Sequence, residues 1–239
     1  MTRRGSSLPK REMIDERLAE MVGPDRCPLC RFRIDDERRF LDSILWESVN
    51  DRIFRARLEK GGGFCRAHAA QILEADRRST GSSLGAAILL AAGLRARARE
   101  LSDMTRGWRR HAARSIADAR RTPDCPVCAQ VAATEEHAAA RLTRLAVEPA
   151  WAEALGSAGF CLADLLTVWA AASASDEGQR AWAPIGAAQL ARLQEVLARL
   201  DGFIDNSSHD RMHLLSEDES RSLREATAIL GGGEPGRRG

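Results

Sequence analysis

Tyrosine is missing from this chain of 239 residues, lysine stands only at positions 10 and 60, and β-branched runs are absent. Without β-branched runs there is nothing from which to build a sheet, so folds that carry chemistry on strand ends are excluded. Arginine supplies almost all the positive charge, alongside abundant alanine. That pattern matches the coding bias of a GC-rich bacterial genome, so arginine density is weak evidence for nucleic-acid binding. A net charge of +2 gives no reason of its own to expect an acidic partner.

Long apolar runs are missing too. The longest weakly polar stretch, "STGSSLGAAILLAAGL" at 79–94, is too short and too rich in Ser, Gly and Ala to span a bilayer, which takes about 20 mostly apolar residues. The opening "MTRRGSSLPKREM" has charge but no hydrophobic centre behind it. The expectation is a cytoplasmic protein with no membrane partner. Motifs for enzymes are equally scarce: there is no G-x-G-x-x-G or P-loop, "GGGF" follows a helix rather than a strand, and "GSAGF" lacks the spacing of a nucleophile elbow. No enzymatic activity is expected.

What is present reads as helix. Ala, Leu, Arg and Glu dominate, and apolar residues recur at three and four, as in Phe40, Leu41, Ile44 and Leu45. Helices are expected over 10–22, 34–48, 51–59, 66–76, 82–120, 126–145, 148–156, 162–173, 187–204 and 217–230. Gly61, Gly62 and Gly63 stop one, and Ser216 with Glu219 forms a capping box that starts the last. The fold class is all-α: two pseudo-repeated Cys-rich helical modules, 10–80 and 122–175, joined by a long helix at 81–121 and followed by C-terminal helices at 176–230. The ends, 1–9 and 231–239, are expected to be disordered.

All six cysteines fall into a pattern. Cys27-Pro-Leu-Cys30 precedes Cys65 with His68 three on; Cys125-Pro-Val-Cys128 precedes Cys161 with Asp164 three on. The first pairs are offset by 98 positions and the "GFC" pairs by 96, and Phe54, Leu58 and Ile72 match Trp151, Leu155 and Val168. Apolar positions recur with the cysteines, so the repeated unit is a folded module of about 50 residues.

Two cysteines two apart aim both thiolates at one point, and a second such pair closes a tetrahedron around Zn2+. Pro28 and Pro126 shape each opening turn, while Gly63 and Gly159 allow close approach of the second pair. The first module offers Cys27, Cys30, Cys65 and His68, a Cys3His set. The second offers Cys125, Cys128, Cys161 and Asp164, an unusual Cys3Asp set with a formal −2 charge that needs nearby Arg or backbone N–H groups. For the second set three outcomes stand open: Asp164 ligates, His137 or water completes the site, or the cysteines merely pack. One zinc ion is expected and the second is open. Disulfides are disfavoured without a secretory signal, and a thioredoxin-like pair needs a βαβ setting. A catalytic ion held by three cysteines, with Asp164 as base, lacks any supporting second acid or oxyanion donor.

With "ESVNDRIFRARLEKGGGFCRAH" and the closing "FIDNSSHDRMHLLSEDESRSLREATAILGG", the chain over 20–232 resembles an uncharacterised bacterial family of paired C-P-x-C and G-F-C-x-x-H proteins, a domain of unknown function. The resemblance implies the helical fold and two zinc sites, with no activity assigned. Asp164 departs from the usual His.

The stretch 95–121 carries nine arginines with Trp108 and His111, interrupted by Glu100, Asp103 and Asp118. It reads as a solvated connecting helix; the rival reading places Arg106, Arg109, Arg110 and Arg114 on phosphates. His209, Arg211 and His213 cluster before the last helix and suit either packing or an anion. The tryptophans Trp46, Trp108, Trp151, Trp169 and Trp182 are expected in the core or at helix contacts. The function expected is structural zinc binding with an interaction or regulatory role toward a protein partner; the rivals are a nucleic-acid-binding regulator and a thiol or zinc redox sensor.

Overall fold

Every cysteine-proline or glycine-phenylalanine-cysteine turn of the sequence opens a helix. The structure, a computed structural model, describes residues 8–24, 26–119, 123–207 and 216–231, with the side chains of 104 and 106–119 left outside that description. The ends expected to be disordered fall almost wholly outside it, as do His209, Arg211, His213 and the side chains of Arg106, Arg109, Arg110 and Arg114.

The described chain is all-helical: α1 (Met13–Met21), α2 (Pro28–Ser43) continuing into a π-helical turn (Ile44–Ser48), α3 (Arg52–Lys60), α4 (Arg66–Thr80), α5 (Leu84–Ala119), α6 (Pro126–Leu145), α7 (Pro149–Gly156), α8 (Leu162–Ala172), α9 (Asp176–Asn206) and α10 (Glu217–Gly231). No strand occurs among the described residues. No helix there is long and apolar enough to cross a membrane.

Local chemistry sets the boundaries. Asp51 caps α3 by accepting from the Ile53 N–H at 2.7 Å. Gly81 ends α4 in the left-handed region at φ 65°, with its N–H on the Arg77 carbonyl. Ser216 and Glu219 form the expected capping box, with Glu219 accepting from the Ser216 N–H at 2.8 Å and Ser216 Oγ from the Glu219 N–H at 3.1 Å.

Two helix starts differ most from expectation. α2 begins at Pro28 rather than at 34, because proline is pre-set for the first helical position and needs no hydrogen bond for its missing N–H. α9 begins at Asp176 rather than at 187 and runs through Pro184. Ser175 Oγ caps its start on the Gly178 N–H at 3.0 Å, and fully buried Trp182 anchors the turns before the proline.

The chain divides into two compact units. One contains residues up to Arg33 together with those from Glu135 onward; the other is Ile34–Thr134. The core of the first gathers Leu18, Leu29, Phe32, Leu142, Trp151, Leu155, Phe160 and Trp182. That of the second gathers Leu41, Ile44, Leu58, Phe64, Ile72, Leu89 and Val127. Phe160 and Phe64, each just before a "GFC" cysteine, are both buried and tie that turn to its core. Of the tryptophans, Trp151 and Trp182 are core residues, whereas Trp46 is 77% and Trp169 43% exposed. Trp169, though partly exposed, lays its ring on Gly186 of α9.

Candidate metal centres

Cys27, Cys65, Cys125 and Cys161 stand at equivalent places on four helices. Each backbone carbonyl accepts the first helical hydrogen bond, from Arg31, Ala69, Ala129 and Leu165 at 2.9–3.1 Å, so each cysteine is an N-cap. The residue three further on, in the first turn, is Cys30, His68, Cys128 or Asp164. A C-x-x-X motif at this position projects two side chains from one helix end. The positive end of the helix dipole favours the negative charge they carry.

The four helix ends meet in pairs, and the pairing crosses the sequence repeat. Cys27 and Cys30 come together with Cys161 and Asp164; Cys65 and His68 come together with Cys125 and Cys128. The ligand atoms of each group lie within 4.8 Å of one another. The expected grouping within each module, Cys27–Cys30 with Cys65–His68 and Cys125–Cys128 with Cys161–Asp164, is therefore corrected. The physical reason is length: α2 and α6 lead away from Cys27 and Cys125 for about 24 Å and 30 Å at 1.5 Å per residue, while α3 and α7 cover only about 12–14 Å. Backbone bonds between the approaching loops fix the exchange. The Gly159 N–H donates to the Gly23 carbonyl at 2.9 Å in one centre, and the Asp124 N–H to the Gly61 carbonyl at 2.9 Å in the other. A Cβ at Gly159 would lie 2.5 Å from the Pro24 carbonyl oxygen, so only glycine lets this turn reach the chain ahead of Cys27. Gly63, at φ 95°, instead packs on Gly93 of α5.

In the first centre all four side chains are buried. The Cys27 and Cys30 thiols each lie 3.0 Å from Asp164 Oδ2, and the Cys30 and Cys161 sulfurs are 3.7 Å apart. In the second, His68 Nδ1 faces Cys65, Cys125 and Cys128 at 3.1, 3.3 and 3.3 Å, and the Cys65 and Cys128 sulfurs are 3.7 Å apart. Cys128 is exposed; His68 and Cys125 are buried. A tetrahedral ion with bonds of about 2.3 Å to sulfur would hold two sulfurs about 3.8 Å apart, which both centres match.

Around the ligands stand residues that the sequence reading passed over. His68 Nε2 lies 3.3 Å from Glu37 Oε1, the carboxylate–histidine arrangement that leaves Nδ1 free for a metal. Arg33 donates from Nη1 to Glu135 Oε1 at 2.7 Å and from Nη2 to Cys30 Sγ at 3.2 Å, with Nη1 also 3.6 Å from Asp164 Oδ1. A signal for the carboxylates was available: Glu37 follows Cys30, and Glu135 follows Cys128, by seven residues, two turns along the helix. His137 is exposed on α6 and belongs to neither group.

The electrostatics of the two groups are set by burial and by their close contacts. Burial works against a charged His68, yet Cys125 and Glu37 raise it to about 10. Burial likewise opposes ionisation of Cys125, but His68 brings it down to about 6. Cys128 is pushed up to about 12 by burial and by the charge on Cys125. In the other centre, hydrogen bonds from Cys27 and Cys30 lower Cys161 to about 4. The Asp164 backbone N–H favours that thiolate without forming a full cap bond. Cys27 and Asp164 are both raised, each first by burial. Each group thus favours one thiolate, Cys125 in one and Cys161 in the other, and a bound cation would displace the protons of the remaining thiols.

These features define a class: an all-helical protein whose helix N-termini converge on two four-residue groups able to hold a metal ion. Residues 18–185 match a family of unknown function (DUF6062), and the chain belongs to that family. The match covers both centres and ends within α9, short of the closing stretch to 232. Comparison with curated proteins and with solved structures gave no match.

Proposed function

We propose that the protein binds two Zn2+ ions, one in a Cys3His and one in a Cys3Asp centre, and that the ions serve as structural clamps of a helical scaffold with an interaction or regulatory role. The observation that carries this reading is the convergence of eight motif side chains, from four helix N-termini, into two tetrads with sulfur spacings of 3.7 Å. Sulfur-rich tetrads suit zinc over magnesium or calcium, which take oxygen ligands. Four protein donors per ion leave no open position, which is the structural rather than the catalytic pattern. The 3.0 Å approach of Asp164 Oδ2 to two sulfurs supports a ligand's role over that of a base, which would need bound water between.

Elemental analysis of the purified chain tests this directly. The expected result is two zinc ions per chain, falling to one in Cys161→Ser and to one in Cys65→Ser. Cobalt substitution should give intense thiolate charge-transfer absorption. A chain free of transition metal after purification in zinc-supplemented medium would refute the proposal.

A further inference from the structure

We infer that Arg33 is the residue that allows an aspartate to stand at position 164, so that Arg33 and Asp164 together do in one centre what His68 does alone in the other. The inference rests on the zinc reading above and names the determinant of metal affinity in the Cys3Asp centre.

The first step is atomic. His68 faces its three sulfurs through Nδ1, the ring nitrogen bonded directly to Cγ. A carboxylate oxygen of aspartate is also bonded directly to Cγ. An aspartate can therefore replace a histidine that ligates through Nδ1 with no change in backbone position, whereas it would fall short of one ligating through Nε2. Asp164 Oδ2 lies 3.0 Å from two sulfurs, against 3.1–3.3 Å for His68 Nδ1.

The second step concerns what the exchange removes. Nε2–H of His68 reaches Glu37, so the imidazole joins the sulfurs to a carboxylate on their outer side. Aspartate has no such donor. Its second oxygen is an acceptor, and the residue 98 positions after Glu37, in the same register as Cys30 and Cys128, is again a carboxylate, Glu135. Left as they are, Asp164, Glu135 and three thiolates would gather negative charge in a site where Asp164 is 3% exposed.

Arg33 resolves this. Its guanidinium lies between the two carboxylates, 2.7 Å from Glu135 Oε1 and 3.6 Å from Asp164 Oδ1, and gives a further N–H to Cys30 Sγ at 3.2 Å. The residue 98 positions on is Val131, which has no donor, and in its centre the histidine needs none. The chain Glu135–Arg33–Asp164 thus replaces Glu37–His68, and the added positive charge offsets the added negative one. Aspartate at 164 and arginine at 33 are matched to each other.

A double-mutant cycle on the zinc-loaded full chain tests the match, read as the zinc retained against graded concentrations of a chelator, with the Cys3His centre as internal reference. Arg33→Val should weaken the Cys3Asp centre by about 10- to 100-fold, the range for loss of an outer partner of a ligand. Asp164→His alone should weaken it similarly, because the N–H of an imidazole ligating through Nδ1 would point at the guanidinium, donor against donor. The pair Arg33→Val with Asp164→His should return to within a few-fold of the original affinity, and the cobalt spectrum of the centre should then match that of the Cys3His centre. Arg33→Lys, which keeps the charge and folds most readily, should retain most of the affinity. Losses that simply add in the double variant, or an Arg33→Val chain as tight as the parent, overturn the match while leaving two zinc ions in the parent. A parent chain without a second zinc ion overturns the metal reading and the match with it.

Discussion

Asp15 shows how a single buried charge is made stable here. It is fully buried, yet Arg141 donates to both its oxygens, Nε to Oδ1 at 2.7 Å and Nη2 to Oδ2 at 2.9 Å, and the Arg11 and Glu12 backbone N–H groups add two more bonds to Oδ2. Arg141 and these N–H groups outweigh burial and bring the carboxyl down to about 2. The folded state therefore holds the proton less tightly than the unfolded chain, and the stabilisation is present above the ordinary value near 4 and fades as pH falls toward 2. The shift corresponds to about 2 kcal/mol at neutral pH. Urea unfolding of the parent and of Asp15→Asn between pH 5 and 2.5 should show a difference in stability that narrows as the acid concentration rises; parallel curves would disprove it. Arg141→Met, which leaves the carboxylate buried without its partner, should cost about 3–5 kcal/mol at pH 7, and Asp15→Asn in the same chain should recover part of that loss.

At the scale of elements, the unit of construction is a helix that begins on a cysteine. Three of these, at Cys65, Cys125 and Cys161, were legible from the sequence, because C-P and G-F-C each put a stop before a helix; the one at Cys27 was not, since its helix was expected only from 34. The all-helical class was legible too, and the spacing picked out the eight residues that the fold gathers into two groups able to hold a metal ion. Which helix end meets which could not be read, because the partners Cys30 and Cys161 stand 131 residues apart and nothing local to either encodes the other. Arg33 escaped notice for the opposite reason: in an arginine-rich chain one more arginine carries no signal until its neighbours are known. Alkylation of the metal-stripped native protein follows the same geometry. Cys128, exposed, should be modified first and half-buried Cys65 next, while Cys27, Cys30 and Cys161 stay protected until their unit opens. Peptide mapping of partially alkylated protein reads this order, and early labelling of Cys27 would contradict the closed geometry of the Cys3Asp centre.

Taken whole, one centre joins two separated stretches of chain into a unit, while the other lies within a unit made of one continuous stretch. The unit of residues up to Arg33 and from Glu135 onward is joined by Cys27 and Cys30 meeting Cys161 and Asp164, but it has other bonds: the Asp15–Arg141 pair, the Trp151 Nε1 bond to the Pro9 carbonyl at 2.9 Å, and a core with two fully buried tryptophans. The Ile34–Thr134 unit has a core without a buried tryptophan among its described residues, and its centre reaches solvent at Cys128. Zinc in finger peptides contributes about 10–16 kcal/mol of apparent binding energy to folding, which exceeds the whole stability of many domains. Stripping metal should therefore affect the two units unequally. Hydrogen exchange after chelation should accelerate most in α4, which begins at Cys65, and in α3, which leads into that turn, while α7 and α9, held by Trp151, Trp182 and the Gln189 amide bonds to the Leu155, Gly156 and Ala158 carbonyls, exchange more slowly. The buried tryptophans give a second reading, since their emission should shift only at the later, slower opening. Simultaneous loss of protection in both sets of helices would show that the centres share one cooperative transition and would reject this order.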